Sequence, residues 1–244
     1  MRARGAAILG GVASLGALAW VRPWRYRATP SELLDEFLPE YEFRDTVSLE
    51  IDAQPRRVLR ALRDLRLSDM RLAWLLGELR YLPARIAGSA QPADGEQPFL
   101  AMLRTATGTI VLGERADELA LGTIGKLHQL TSQEPQCLTG AHCFRDFSET
   151  GFEKLAMSLR VTELAPGRCR VTMEHRTHAL GPVARAIFGV YWLTIKPMGA
   201  FVTWQMLRAV RRRATAAEEP EIGPSAAGSV EVTEVAREVA ATFA

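Results

Sequence analysis

Two neighbouring stretches constrain the fold of this chain more than any other feature. Residues 152–164 alternate Leu155, Met157, Leu159 and Val161 with Ala156, Ser158, Arg160 and Thr162. Residues 168–179 alternate Cys169, Val171, Met173 and His175 with Arg170, Thr172, Glu174 and Arg176. A period of two marks a strand with unlike faces. Ala165-Pro166-Gly167 between them suits a tight turn, with proline and glycine at its centre. The pair is therefore read as an antiparallel hairpin with one apolar face, and such a face needs a cover. The one element long enough is the helical segment that follows Gly181-Pro182 and runs to about Arg213. Pro197 and Gly199 are expected to kink it or split it in two.

The upstream sequence completes the sheet. Phe43, Val47, Leu49 and Ile51 share one parity and Arg44, Thr46, Ser48 and Glu50 the other, which predicts a half-buried strand. A short helical stretch capped by Ser31 and ended by Pro39 precedes it. Two helices follow. The first starts at Pro55 and puts Val58, Leu59, Leu62 and Leu65 on one side; the second runs from a Ser68 cap to Pro83, its apolar face holding Leu72, Leu75, Leu76 and Leu79. Residues 87–97 read as a loop. Residues 109–114 and 118–127 are expected strands around an Arg115-Ala116-Asp117 turn, and 141–147 a further short strand. The order is strand, two helices, five strands, long helix. That is an α+β helix-grip arrangement: an antiparallel sheet curved around a long C-terminal helix, with a cavity between them.

The termini differ in character. Residues 5–21 are seventeen residues without a charge, with Arg2 and Arg4 before them and Arg22, Arg25 and Arg27 after, beside Trp20, Trp24 and Tyr26. About 17 apolar residues is the short limit for a membrane span, and aromatic and basic residues suit its edges. Residues 1–28 are expected to be a membrane anchor of undetermined orientation, and the protein therefore membrane-associated. A signal peptide cleaved near Ala17-Leu18-Ala19 competes with this, opposed by the arginines that follow; without either, the chain is cytoplasmic. Residues 29–214 form the helix-grip domain. Residues 215–244 begin with a linker-like composition and read as a flexible tail.

With 48% apolar and 24% charged residues in 244, the chain is neither disordered nor a disulfide scaffold, and its net charge of +2 gives no reason to expect nucleic acid. Cys137, Cys143 and Cys169 have no metal-ligand spacing, so no metal site is expected, and nothing asks for a cofactor. No P-loop, Rossmann glycine motif, GxSxG or HExxH occurs. Oligomeric state is not legible.

The candidate ligand-contacting residues follow from parity. Leu155, Met157, Leu159, Val171, Met173 and His175 share the face turned to the cavity; Tyr191, Trp192, Phe201 and Trp204 lie on the final helix and serve as core, as cavity wall or both. His175 is a weak catalytic candidate, a neutral base or polar anchor, against the plainer reading of a strand-end side chain. Glu153, of the same parity, is the other, and with His175 would form an acid–base pair. His142 and Cys143 are discounted as a pair because neighbours on a strand point opposite ways. Arg208, Arg211, Arg212 and Arg213 either complement a helix C-terminus or touch anionic lipid.

Several segments resemble the SRPBCC superfamily (START-like, Bet v 1-like, polyketide cyclase/dehydrase-type), in particular a bacterial branch of it. They are SLEIDAQPRRVLRALRDL, the hairpin GTIVLGERADELALGTIGKL, FRDF, RVTEL, TMEHRTHA, YWLTIKP and MLRAVRRRA, spread over residues 41–214. His128 stands where an aromatic is expected after the Gly-x-x-Gly-Lys run, and the N-terminal apolar segment is not part of the superfamily fold. The resemblance implies a hydrophobic cavity that holds a lipid, sterol, polyketide or aromatic molecule. The expected function is non-catalytic binding or transport of such a ligand. The alternatives are a polyketide cyclase or aromatase-like enzyme, and a membrane-tethered interaction module with a filled core.

Overall fold

A computed structural model describes residues 31–86, 88, 94–129 and 139–216. Helix α1 spans Glu32–Phe37, and the Ser31 hydroxyl caps it by accepting from the Leu34 N–H at 3.0 Å. Strand β1 is Phe43–Ile51. Helix α2, Pro55–Arg63, opens on its proline and buries Val58, Leu59 and Leu62. A 3₁₀ turn at Leu67–Met70 leads into α3, Arg71–Ile86. Helix α4 is Phe99–Thr107 and ends at Gly108, whose φ of 60° is the left-handed conformation that glycine adopts without strain. Then come β2 (Ile110–Arg115), β3 (Glu118–Gly125), α5 (Ala141–Asp146), β4 (Glu153–Ala165), β5 (Arg168–Ala179) and α6 (Pro182–Ala216).

The five strands form one antiparallel sheet in the order β1-β5-β4-β3-β2. Its register places His175 of β5 opposite Asp45 of β1 on one side and Met157 of β4 on the other. The inner face carries Ile51, Leu119, Leu121, Met157, Val161, Val171 and Met173, packed against α2 and the C-terminal half of α6. This is the main core. Toward the N-terminal end of α6, Phe188 and Ala184 pack with Phe43, Tyr191 and Trp192 in a smaller aromatic cluster.

The outer face departs from the expected solvated row. Helices α1 and α5 cover it, burying Leu33, Leu34, Phe144 and Phe152 against Leu112, Ala120, Ile124 and Ala156. The polar residues of that parity are consequently buried, and they are paired. The Ser31 and Ser158 hydroxyls both donate to Glu118 Oε1. Arg176 Nε lies 2.8 Å from Glu174 Oε1 and its Nη1 2.6 Å from Asp35 Oδ1, while Arg44 reaches Glu174 at 3.0 Å from outside.

Five further expectations are corrected. Residues 141–147 are not a strand, so the described sheet has five strands, not six. Their α5 is fixed by contacts that no local pattern reveals: Phe144 is buried, and Lys154 of β4 donates to the carbonyls of Arg145 and Phe147 at its end, 2.8 and 3.3 Å away. Helix α4 falls in a stretch where no helix was expected. Helix α3 continues to Ile86, past Pro83, and its apolar residues do not face a core: Leu72, Leu75 and Leu79 are exposed, while Ala73 beside them is buried. Helix α6 is unbroken through Pro197. A proline removes one N–H from the ladder, and burial of Phe188 before it and of Thr203, Met206 and Leu207 after it holds both segments to the body of the domain. Helix α6 also runs to Ala216, slightly beyond the expected end. Residues 1–28, and the tail from 217 on, lie outside the described residues, and so does the expected anchor.

Candidate functional site

The inner face of the sheet, α2, α4 and α6 enclose a cavity of about 40 Å³. Helix α2 and the turn after it contribute Leu59, Leu62 and Leu65; α4 contributes Phe99, Leu100 and Leu103; the sheet contributes Leu119, Leu121, Leu159 and Met173; and α6 contributes Met206. Glu118 borders it at the start of β3, but its carboxylate is bonded to Ser31 and Ser158 on the opposite face. The lining side chains are thus carbon and sulfur. They come from helices whose apolar stripes converge on one strand parity.

Among the ligand-contacting residues expected from sequence, Leu159 and Met173 line this cavity. Leu155, Met157 and Val171 lie on the same face, within or against the same core cluster, but not in the lining. Tyr191 and Trp192 belong to the aromatic cluster with Phe43 and Phe188. Phe201 and Trp204 are half-buried on α6 with their rings 6.0 Å apart, and the Arg208 guanidinium lies 4.6 Å from the Trp204 ring. The α2 leucines were legible as an apolar helix face, though not as a cavity wall. The α4 residues were missed with their helix, for which the FLAML run ahead of Gly108 was the available signal.

His175 is half-buried on the inner face, two residues from Met173 and so about 7 Å along the strand from the cavity. Burial pushes its imidazole down to about 4, with the Glu174 charge opposing, and it is neutral at physiological pH. Asp45 opposite it is held above the ordinary carboxylate range by burial, against the pull of the Lys196 charge. Asp45 and His175 therefore make a small polar pair beside the apolar core.

Glu153 is buried, as a catalytic carboxylate would be, but the structure does not bring it to His175. It faces Ala179, four residues along β4 from the Met157–His175 position, about 13 Å away. Its partner is His128, whose Nδ1 lies 2.9 Å from Oε1, and the Leu127 N–H donates to Oε2 at 2.7 Å. Burial raises the Glu153 pKa, opposed by these hydrogen bonds and by the His128 charge. The pair ties the end of β3 to the start of β4.

The discounted neighbours His142 and Cys143 do meet, because the segment is helical and not extended. Cys143 Sγ lies 3.2 Å from His142 Nε2 and 3.1 Å from Thr139 Oγ1. Cys169 is different: its thiol is buried, lies 3.3 Å from the Ala53 carbonyl it donates to, and is pushed up to about 11 by burial, with the charges of Glu163 and Asp52 adding to that. Among the described residues no three histidine, cysteine or acidic side chains converge as a metal site. Helix α6 is, among those residues, the one helix long and apolar enough to cross a bilayer, and most of its apolar stretch is not buried.

The architecture is compatible with a helix grip. No family model matches the chain and no curated protein matches it. It is similar to three solved structures. One is a hypothetical protein of Helicobacter pylori, with 11% identity over 77% of this chain and 95% of that one and a TM-score of 0.36. Another is a protein of Thermus thermophilus, with 12% identity over 72% and 100% and a TM-score of 0.31. The third is the Zhui aromatase/cyclase of a Streptomyces species, with 14% identity over 72% and 98% and a TM-score of 0.28. Likeness at this level says nothing of chemistry.

Proposed function

We propose that the domain binds an apolar small molecule or lipid between the sheet and α6, as the SRPBCC resemblance implies. The observation that carries this reading is the cavity: its walls are leucine, phenylalanine and methionine side chains from four directions. Its volume of about 40 Å³ is room for a few waters, whereas small-molecule sites run from about 300 Å³. Binding therefore requires a wall to move. Helix α4 is the wall that gives way. It is a helix of nine residues whose Phe99, Leu100 and Leu103 cover the cavity. Asp45 and His175 then supply the few polar groups that orient a ligand in an otherwise apolar site.

The test is native mass spectrometry of the full chain, with organic extraction of anything bound, followed by titration with a fluorescent fatty acid and a fluorescent sterol. A stoichiometric lipid or polyketide, with uptake blocked in Leu103→Trp, is the expected result. A chain that carries nothing and takes up neither probe overturns the reading and leaves the filled-core interaction module.

A second reading, a cyclase or aromatase-like enzyme, is favoured by one observation. Asp45 and His175 are opposite residues on adjacent strands, both turned toward α6, with Cβ atoms about 5 Å apart. His175→Ala separates the two readings. It abolishes turnover of a polyketide substrate in an enzyme, and in a carrier it leaves probe uptake within a few-fold.

A further inference from the structure

Helix α6 is 35 residues long and contains no aspartate or glutamate; its charges are Arg185, Lys196 and the four arginines near its C-terminus. One face packs on the sheet through Ala184, Phe188, Met206 and Val210. The opposite face follows the alternating three- and four-residue steps of a helical stripe. It begins with Val183, Ile187 and Val190, which are 69%, 46% and 70% exposed, with Leu193 at its edge at 77%. It passes Thr194 and Pro197, continues through Phe201 and Trp204, and ends at Arg208 and Arg212, with Arg211 beside them. Uncovered aliphatic side chains, then a half-buried aromatic pair, then arginines lie along one line of the helix; Arg208 stacks on the Trp204 ring, Arg212 donates to the Asp69 carbonyl at 2.8 Å, and Arg211 is exposed.

We infer that this face of α6 docks on an anionic lipid bilayer. The aliphatic end seats among the acyl chains, the Phe201–Trp204 pair sits at the level of the headgroups, and the arginines meet lipid phosphates. The physical match is to a helix lying in the interface, with an apolar side buried and basic residues drawn to negative lipid. Charge decides the occupant. A second copy would bring the same arginines into contact with no acidic residue of α6 to meet them, whereas an anionic surface complements them. This docking does not depend on whether the cavity takes a ligand. It also differs from anchoring by residues 1–28, because it concerns which face of the folded domain touches the lipid.

The experiment uses the full chain with Cys137→Ser and Cys143→Ser, which leaves the buried Cys169 unlabelled. An environment-sensitive fluorophore is placed at Val190→Cys or, as a control on the exposed β4–β5 hairpin, at Glu163→Cys. The protein is bound to vesicles of phosphatidylcholine with and without phosphatidylglycerol, and flotation establishes that it is on them. The expected result is a blue shift at 190 and several-fold stronger quenching by lipids brominated in the acyl chain than at 163. This should be larger with phosphatidylglycerol and reduced by Arg211→Glu with Arg212→Glu. A label at 190 that stays as water-exposed as the one at 163 on floating protein overturns the inference. Shielding at 190 that follows the protein-to-lipid ratio and resists brominated lipid also overturns it, because it puts a second copy on the face.

Discussion

His175 carries the sharpest single-residue consequence. On the inner face of the sheet its imidazole titrates at about 4 in the folded domain against an ordinary 6.5. Between those values the unfolded chain holds a proton that the folded chain does not. The stability this group supports is thus present at neutral pH and falls as pH drops through the window from 6.5 to about 4, with a slope of up to about 1.4 kcal/mol per pH unit. His175→Gln should flatten that part of the profile. Urea midpoints of both proteins measured from neutral pH down to pH 4 check it, and parallel profiles would mean that the ring is already solvated. Strand parity alone put His175 on the correct face. It could not supply the partner of Glu153, because His128 lies 25 residues away in sequence and reaches the carboxylate only through the β3–β4 register. For His142 and Cys143 the error was one of period: a strand separates neighbours and a helix start does not, so an assignment wrong over six residues reversed the conclusion about the pair.

Among elements, β5 teaches the most. Its alternation of Val171 and Met173 with Thr172, Glu174 and Arg176 is what a half-solvated strand looks like, and the strand was found where the alternation placed it. What the pattern could not convey is that α1 and α5 lie over the polar row. Polarity in sequence means only that a group needs a partner, and Glu174 and Arg176 find theirs in each other, in Asp35 and in Arg44. Burial alone would lower the Arg176 pKa, but the bonds and charges of Glu174 and Asp35 outweigh it and hold the guanidinium above its ordinary value. Both side chains are only 1% exposed, so removing one partner strands a buried charge. Glu174→Ala is expected to cost about 3–5 kcal/mol. Truncating a salt bridge at the surface, for example by Glu96→Ala opposite Arg66, should cost under about 1 kcal/mol. Chemical denaturation of the two variants against the parent measures the contrast, and equal small losses would place Glu174 in water.

At the scale of the molecule, α6 performs two tasks that its composition does not separate. The sequence identified it correctly as the cover of the sheet, but it is apolar almost throughout, and an even apolar distribution does not say which half is buried. The structure divides it. Leu207 and Val210 in the C-terminal half are fully buried in the main core, while Val190 and Leu193 in the N-terminal half stand in the open. Helix α3 repeats the lesson. Its Leu72, Leu75 and Leu79 form a good helical stripe, and a stripe only reports what a helix offers, not what meets it. The two halves of α6 should therefore respond differently to the same chemical change. Leu207→Ala removes buried carbon from a packed site and is expected to cost about 2–5 kcal/mol, depending on how far the neighbours collapse. Val190→Ala should stay within about 0.5 kcal/mol, because in the folded domain that side chain is already mostly in water. Urea unfolding of both variants without lipid checks this. A large loss for Val190→Ala would mean that part of the chain beyond the described residues already covers the face, and the apolar half of α6 would then belong to the core and not to a membrane.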